Sequence, residues 1–204
     1  MTATRPRPAH VADAAAMASL HAQAISAGFL SLLGTDLLRR LYSRVVRSEH
    51  AFAYVTTGEV TTGEVTTGEV TGFIAVALST SQLYREFIAH DGLRAAPKAA
   101  PALLRHPARV VETLRHGLGG GGGHRPGAEV LSLAVAATAR GQGAGHTLVA
   151  TALAELRRRG VTAAHVVTAA DNDAAHRTYL GCGFRRSTAI EVHRGTVQEL
   201  LVWR

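Results

Sequence analysis

The chain has 204 residues, 47% hydrophobic and 18% charged, which suits one packed domain and not a disordered chain. Its formal net charge of +7 is spread as +3 over 1–50, −3 over 51–80, +4 over 81–127 and +3 over 128–204, with aromatics at only 5%. A nucleic-acid binder gathers its basic residues into a stripe interleaved with aromatics, so no nucleic-acid partner is expected. No apolar run reaches the length of a membrane span and the first residues lack a signal-peptide core, so no membrane partner and a cytoplasmic location are expected.

Residues 4–12 suggest a short first strand, weakened by Pro6 and Pro8. Asp13 suits a helix N-cap, and Ala14, Met17, Leu20, Ala24 and Ile25 follow at helical spacing. A second helical region runs from Phe29 to Val46, with Leu33, Leu37, Leu41 and Val45 on one face and bends at Gly28 and Gly34. Paired strands are expected at 51–56 and 72–78. Between them the unit Thr-Thr-Gly-Glu-Val occurs three times over 56–70. Its period of five fits neither strand nor helix, so it reads as an expansion of the turn that gives a lengthened, exposed hairpin.

Residues 81–127 break the rhythm. Leu83, Phe87 and Ile88 suggest a short helix, and Ala99 to Leu118 a second, interrupted at Pro107. Gly119 to Gly123 is an unbroken glycine run that reads as a connector. A strand at 129–136 then leads into Arg140-Gly141-Gln142-Gly143-Ala144-Gly145. The helix behind carries Leu148, Val149, Ala152, Leu153 and Leu156 on one face and ends at Gly160. Val161 to Thr168 reads as a buried strand. Asp171, Asn172 and Asp173 cap a short helix closed by Gly181 and Gly183, and two strands follow at 184–193 and 196–203. Strand–helix–strand–helix order implies a parallel pair inside a mixed sheet.

Glycines between a strand and a helix bring backbone N–H groups close to a guest. With the helix dipole behind them, that guest is a phosphate or pyrophosphate. The loop lacks the Gly-Lys-Ser/Thr ending of a nucleotide P-loop and the third glycine of a dinucleotide fingerprint. What it does match is a composite pattern. Arg140-x-x-Gly143-x-Gly145, followed by Asn172-x-x-Ala175-x-x-x-Tyr179-x-x-x-Gly183-Phe184, resembles the signature of the GNAT superfamily of N-acetyltransferases. The stretch Gly28 to Gly34, with Leu38 and Leu41-Tyr42, is similar to a bacterial subgroup of it.

The resemblance implies an α/β (α+β) fold: a mixed, mostly antiparallel sheet with a splayed central parallel strand pair, flanked by helices. It implies a single domain over 1–204, with an expanded hairpin at 56–71 and a helical, Gly-rich insertion at 81–127. Acetyl-CoA would be the co-substrate, with no metal. The backbone of Leu133, Ala134 and Val135 would meet the pantetheine arm, Arg140, Gly141, Gln142, Gly143, Ala144 and Gly145 would hold the pyrophosphate, and Asn172 would touch the arm. Tyr179 matches the family residue that protonates the departing thiolate; its other reading is a core aromatic. Glu129, eleven residues before Arg140, is the candidate base, or else a strand-end charge. His165 and His124 are further base candidates, and no cluster has metal-ligand spacing. Cys182, the single cysteine, reads as a small buried hydrophobe, so direct transfer in a ternary complex is expected. The expected acceptor is a primary amine on a small metabolite such as an amino sugar or amino acid. The alternatives are a protein N-terminus or lysine, or a non-catalytic acyl-CoA-binding domain. A homodimer is compatible with the sequence.

Overall fold

The computed structural model describes residues 5–25, 34–62, 65–105, 127–193 and 196–204. In chain order the elements are β1 (Arg7–Pro8), α1 (Ala14–Ala24), α2 (Thr35–Arg47), β2 (Ala51–Thr62), β3 (Val65–Ala77), α3 (Thr80–Arg105), β4 (Ala128–Val135), α4 (Ala144–Arg158), β5 (Ala164–Ala169), α5 (Asp173–Gly181), β6 (Arg185–His193) and β7 (Thr196–Trp203). One seven-stranded sheet has the order β1-β2-β3-β4-β5-β7-β6. Every neighbouring pair is antiparallel except β4 and β5.

Helices cover both faces of the sheet. On one, Met17, Leu20, Leu38, Tyr42 and Val45 of α1 and α2 pack on Val55, Phe73 and Ala75. On the other, Leu148, Val149, Ala152, Leu153 and Leu156 of α4 pack on Ile74, Val76, Val130 and Val166. Phe73 through Ala77 are therefore fully buried, as a strand with both faces covered must be. The helix ends follow local rules. Gly160 and Gly183 adopt positive φ, and the N–H groups of Val161 and Phe184 reach back to the carbonyls of Leu156 and Tyr179. These contacts satisfy carbonyls that the last turns of α4 and α5 would otherwise orphan.

Three sequence expectations are corrected. Asp13 does not cap α1. Its carboxylate accepts two bonds from Arg7 (2.8 and 2.9 Å) and one from the His10 N–H (2.7 Å), closing a 3-10 turn at Val11–Asp13. The first strand is only two residues long, Arg7–Pro8. Nor is the segment after β3 two short helices: α3 is continuous to Arg105. Gly92 costs a helix only about 1 kcal/mol, and Asp91 beside it ties α3 to Arg44 of α2 at 2.8 Å. The expected start of the second helix (Phe29, Leu33, Gly28), the helix beyond Arg105, the run Gly119–Gly123, His124 and the turn at Arg194-Gly195 lie outside the described residues.

The tandem repeat lengthens strands and not a turn. Pairing runs from Thr57↔Val70 to Thr62↔Val65, with Thr71 as an extra residue beside Thr56↔Gly72. An odd unit places each copy on the opposite face from the last, which is why its period resembled no strand. The register sets Gly58 across from Glu69 and Glu59 across from Gly68.

His21 is a buried histidine (2% exposed) whose pKa burial lowers to about 4. The unfolded chain therefore binds a proton that the fold refuses. The stability tied to His21 is complete above pH 6.5 and is lost as pH falls toward 4. After discounting for solvent screening, the loss is on the order of 2 kcal/mol. We expect the Tm difference between wild type and His21→Gln to shrink between pH 7 and pH 4.5; a constant difference would remove this linkage.

Candidate active site

The site is built around a defect in β4. Ser132 pairs with Ala75 and Val130 with Val76, which leaves Leu131 as the extra residue of a β-bulge. A bulge bends its strand and increases the local twist. Parallel pairing of β4 with β5 stops just before it, at Ala128↔Ala164 and Glu129↔His165. β5 continues to Ala169 on its other edge, paired with β7. Beyond Glu129 the two parallel strands thus diverge, and Leu133, Ala134 and Val135 flank the opening. The bulge also changes parity: Ala128 and Val130 face the α4 side before it, whereas Leu133 and Val135 do so after it.

At the open end, a 3-10 turn (Ala137–Ala139) leads to Arg140 and the glycines. Gly141 (φ 75°) and Gly143 (φ 79°) are left-handed, and Gly143 is the N-cap of α4. A Cβ built on either would meet nothing within 4 Å, so both glycines are needed for backbone conformation and not for space. Among the described residues no close hydrogen bond to a protein acceptor is made by the N–H groups of Gly141 through His146, which belong to a loose turn and the helix start behind it. Free N–H groups at the positive end of a fifteen-residue helix are a receptor for an anion. Coenzyme A carries a pyrophosphate of matching chemistry, and its extended arm suits the opening along β4.

Gln142 braces the loop through Nε2 to the Thr138 carbonyl (3.1 Å), and Arg140 donates Nε to the Val135 carbonyl (3.1 Å). That bond occupies one of the backbone groups expected to meet the pantetheine arm. Ala144 is buried beneath the loop. Gly145 differs from the other two glycines: a Cβ there would make ordinary contact with Thr178 (3.6 Å) and Val135 (3.8 Å). It marks where α5 docks on the start of α4, a junction also joined by Cys182 Sγ and the His146 carbonyl at 3.6 Å.

α5 brings Asn172 and Tyr179 to the same region. Asn172 accepts from the Ala175 N–H at 3.1 Å and caps α5, so its Oδ1 is committed and its amide nitrogen is left for a ligand. Tyr179 is 3% exposed and packs edge-on against Phe184, ring centroids 5.2 Å apart. Its hydroxyl bonds no described residue and is not among the sealed, unpartnered polar atoms. Burial, and secondarily the Cys182 thiol, push its pKa up, so the phenol holds its proton.

Glu129 lies across the sheet from Tyr179, since its neighbours Ala128 and Val130 face α4. Its side chain is 28% exposed, accepts from Thr80 Oγ1 at 3.0 Å and lies 3.8 Å from His165 Nε2. The Tyr84 phenol stands close enough that the carboxylate adds to the upward shift burial gives it. Thr80 and Tyr84, at the start of α3, escaped the sequence reading. The run Ser79-Thr80-Ser81 was the available signal, because it marks a helix start directly after β3. His165 is buried, and among the described residues its Nδ1 has no hydrogen-bond partner.

A splayed parallel pair ending in an anion-receptive helix start is the arrangement that an acyl-CoA-dependent transferase requires. The acetyltransferase (GNAT) family model matches residues 64–184, more than half of the chain, which therefore belongs to that family. It is an acetyl-CoA-dependent N-acetyltransferase. The fold is similar to the NatC complex bound to Gag peptide and CoA (16% identity, TM-score 0.61, covering 100% of this chain and 98% of that one). It is similar also to NAA60 of Arabidopsis thaliana in complex with acetyl-CoA (14%, TM-score 0.61, covering 97% and 96%). A third similar structure is the ribosomal-protein-alanine N-acetyltransferase of Brucella melitensis (19%, TM-score 0.58, covering 97% and 97%). No curated protein matches the sequence significantly. No described helix is long and apolar enough to cross a membrane.

Proposed function

We propose that the protein acetylates a primary amine on a small molecule, such as an amino sugar or amino acid, by direct attack within a ternary complex. The observation that carries this reading is Glu129, held by Thr80 under the start of α3 and flanked by Tyr84 and His165. Thr80 and Tyr84, at the start of α3, stand beside the carboxylate, and a segment placed there suits a compact acceptor better than a protein surface.

In this reading the residues divide the work. The loop from Arg140 to Gly145 receives the pyrophosphate, and Leu133, Ala134 and Asn172 align the arm along the opening. The amine nitrogen attacks the thioester carbonyl, aided by backbone N–H groups of β4 on the developing oxyanion. Glu129 takes the ammonium proton, directly or through one water. As the C–S bond breaks, Tyr179 supplies a proton to the sulfur. Most of the acceleration comes from holding amine and thioester together.

The test is thiol release from acetyl-CoA across amino sugars, amino acids, peptides with free N-termini and lysine peptides. The highest kcat/KM is expected among the small amines, and Glu129→Gln should lower kcat about 100-fold on the best of them. A clear preference for a peptide N-terminus would overturn the acceptor class.

A further inference from the structure

Three polar side chains from distant parts of the chain meet inside the apolar layer between the sheet and the helices α1 and α2. His21 Nδ1 is 2.5 Å from Tyr42 Oη and 3.3 Å from Ser132 Oγ, Tyr42 Oη is 3.0 Å from Ser132 Oγ, and Ser132 Oγ is 2.7 Å from the Leu131 carbonyl. All three side chains are buried, among Met17, Leu38, Phe73 and several alanines.

Donor counting fixes the direction of this chain. Ser132 has one proton, and it goes to the Leu131 carbonyl, which cannot donate and lies nearer (2.7 Å) than His21 Nδ1 (3.3 Å). Ser132 Oγ must then accept from Tyr42, whose phenol keeps its proton because burial drives its pKa up. With that proton spent, Tyr42 Oη can only accept, so His21 donates from Nδ1. Its Nε2 is then a lone pair, consistent with the lack of a partner there among the described residues. The relay reads His21 Nδ1–H to Tyr42 O–H to Ser132 O–H to the Leu131 carbonyl, each contact holding one proton. Any other assignment leaves one of the three shorter contacts without a proton, while the 3.3 Å approach of His21 to Ser132 shares the His21 N–H.

The terminus of the relay matters. Leu131 is the bulged residue at which β4 leaves β5. Apolar side chains of the same shape would fill the space without burying three polar groups, so packing alone does not account for the relay. We propose that His21, Tyr42 and Ser132 are positioning residues for acetyl transfer: they lock the carbonyl orientation of the Leu131 bulge and so fix where the β4 N–H groups beyond it meet the thioester. This rests on the reading of the β4 opening as the acetyl-CoA site.

The test uses acetyl-CoA labelled with carbon-13 at the acetyl carbonyl and needs no acceptor. In the wild type the bound carbonyl resonance should move from its free position, as N–H groups polarise it. Tyr42→Phe keeps the ring and Ser132→Ala keeps the strand. Both should bind acetyl-CoA within about twofold of wild type while the resonance returns most of the way to the free value. Ser132→Thr, which restores a hydroxyl, should recover the wild-type shift, and the double variant should be no worse than either single one. Near-ultraviolet circular dichroism identifies any variant that fails to fold, and the Ala/Thr pair at position 132 still decides the matter if Tyr42→Phe does. A wild-type resonance in both Tyr42→Phe and Ser132→Ala overturns the proposal, as does a lost shift that Ser132→Thr fails to restore. Failure of the site reading looks different: Gly143→Val would then leave acetyl-CoA affinity unchanged.

Discussion

Gly143→Val is expected to weaken acetyl-CoA binding at least about 100-fold while the protein stays folded. The left-handed backbone at Gly143 (φ 79°) sets where the loop N–H groups point as α4 begins. A β-branched residue is strained there by roughly 1–3 kcal/mol and escapes by rotating the peptide planes on either side. Each N–H that no longer faces the pyrophosphate forfeits a charge-assisted bond of about 1.5–3 kcal/mol. The space around the new side chain is open, so no steric collision adds to the effect. Calorimetric titration with acetyl-CoA, beside a thermal melt, separates binding from folding. An unchanged dissociation constant would rule out this loop as the pyrophosphate site.

Tyr179→Phe is expected to lower kcat about 100-fold with little change in acetyl-CoA affinity or stability. The ring that packs on Phe184 is kept, and the hydroxyl removed has no partner to orphan among the described residues. Loss of stability would instead mark a structural residue. The raised pKa gives the pH profile a sign: the phenol stays protonated through neutral pH, so ionisation of Tyr179 should produce no descending limb below about pH 10. A wild-type rate in the phenylalanine variant would remove the acid role.

The parts of the site carried by short-range signals were legible. Gly143 and Gly183 had to be glycines because the chain reverses its handedness there, and Asn172 had to be a small polar residue to cap α5. The apolar faces of α2 and α4 appear in the structure at the spacing the sequence displays. Asp13 misled because a capping residue can serve whichever orphan N–H lies nearest, and Arg7 drew its carboxylate toward the preceding turn.

What no local pattern could show is how remote segments share the space around β4. The bulge at Leu131 is one residue of register in an apolar strand with both faces covered, so either parity looks equally good in sequence. Thr80 reaches Glu129 across 49 positions, and Ser132 lies near His21 across 111, contacts set by how α3 and α1 pack on the sheet. By itself the sequence determined the family, the anion-receptive loop and the helices that frame it, because those depend on backbone conformation and periodicity within a few residues. Only the tertiary structure decided where β4 parts from β5, what surrounds Glu129 and what holds the bulge. Those features arise from side chains that meet only after the sheet has assembled.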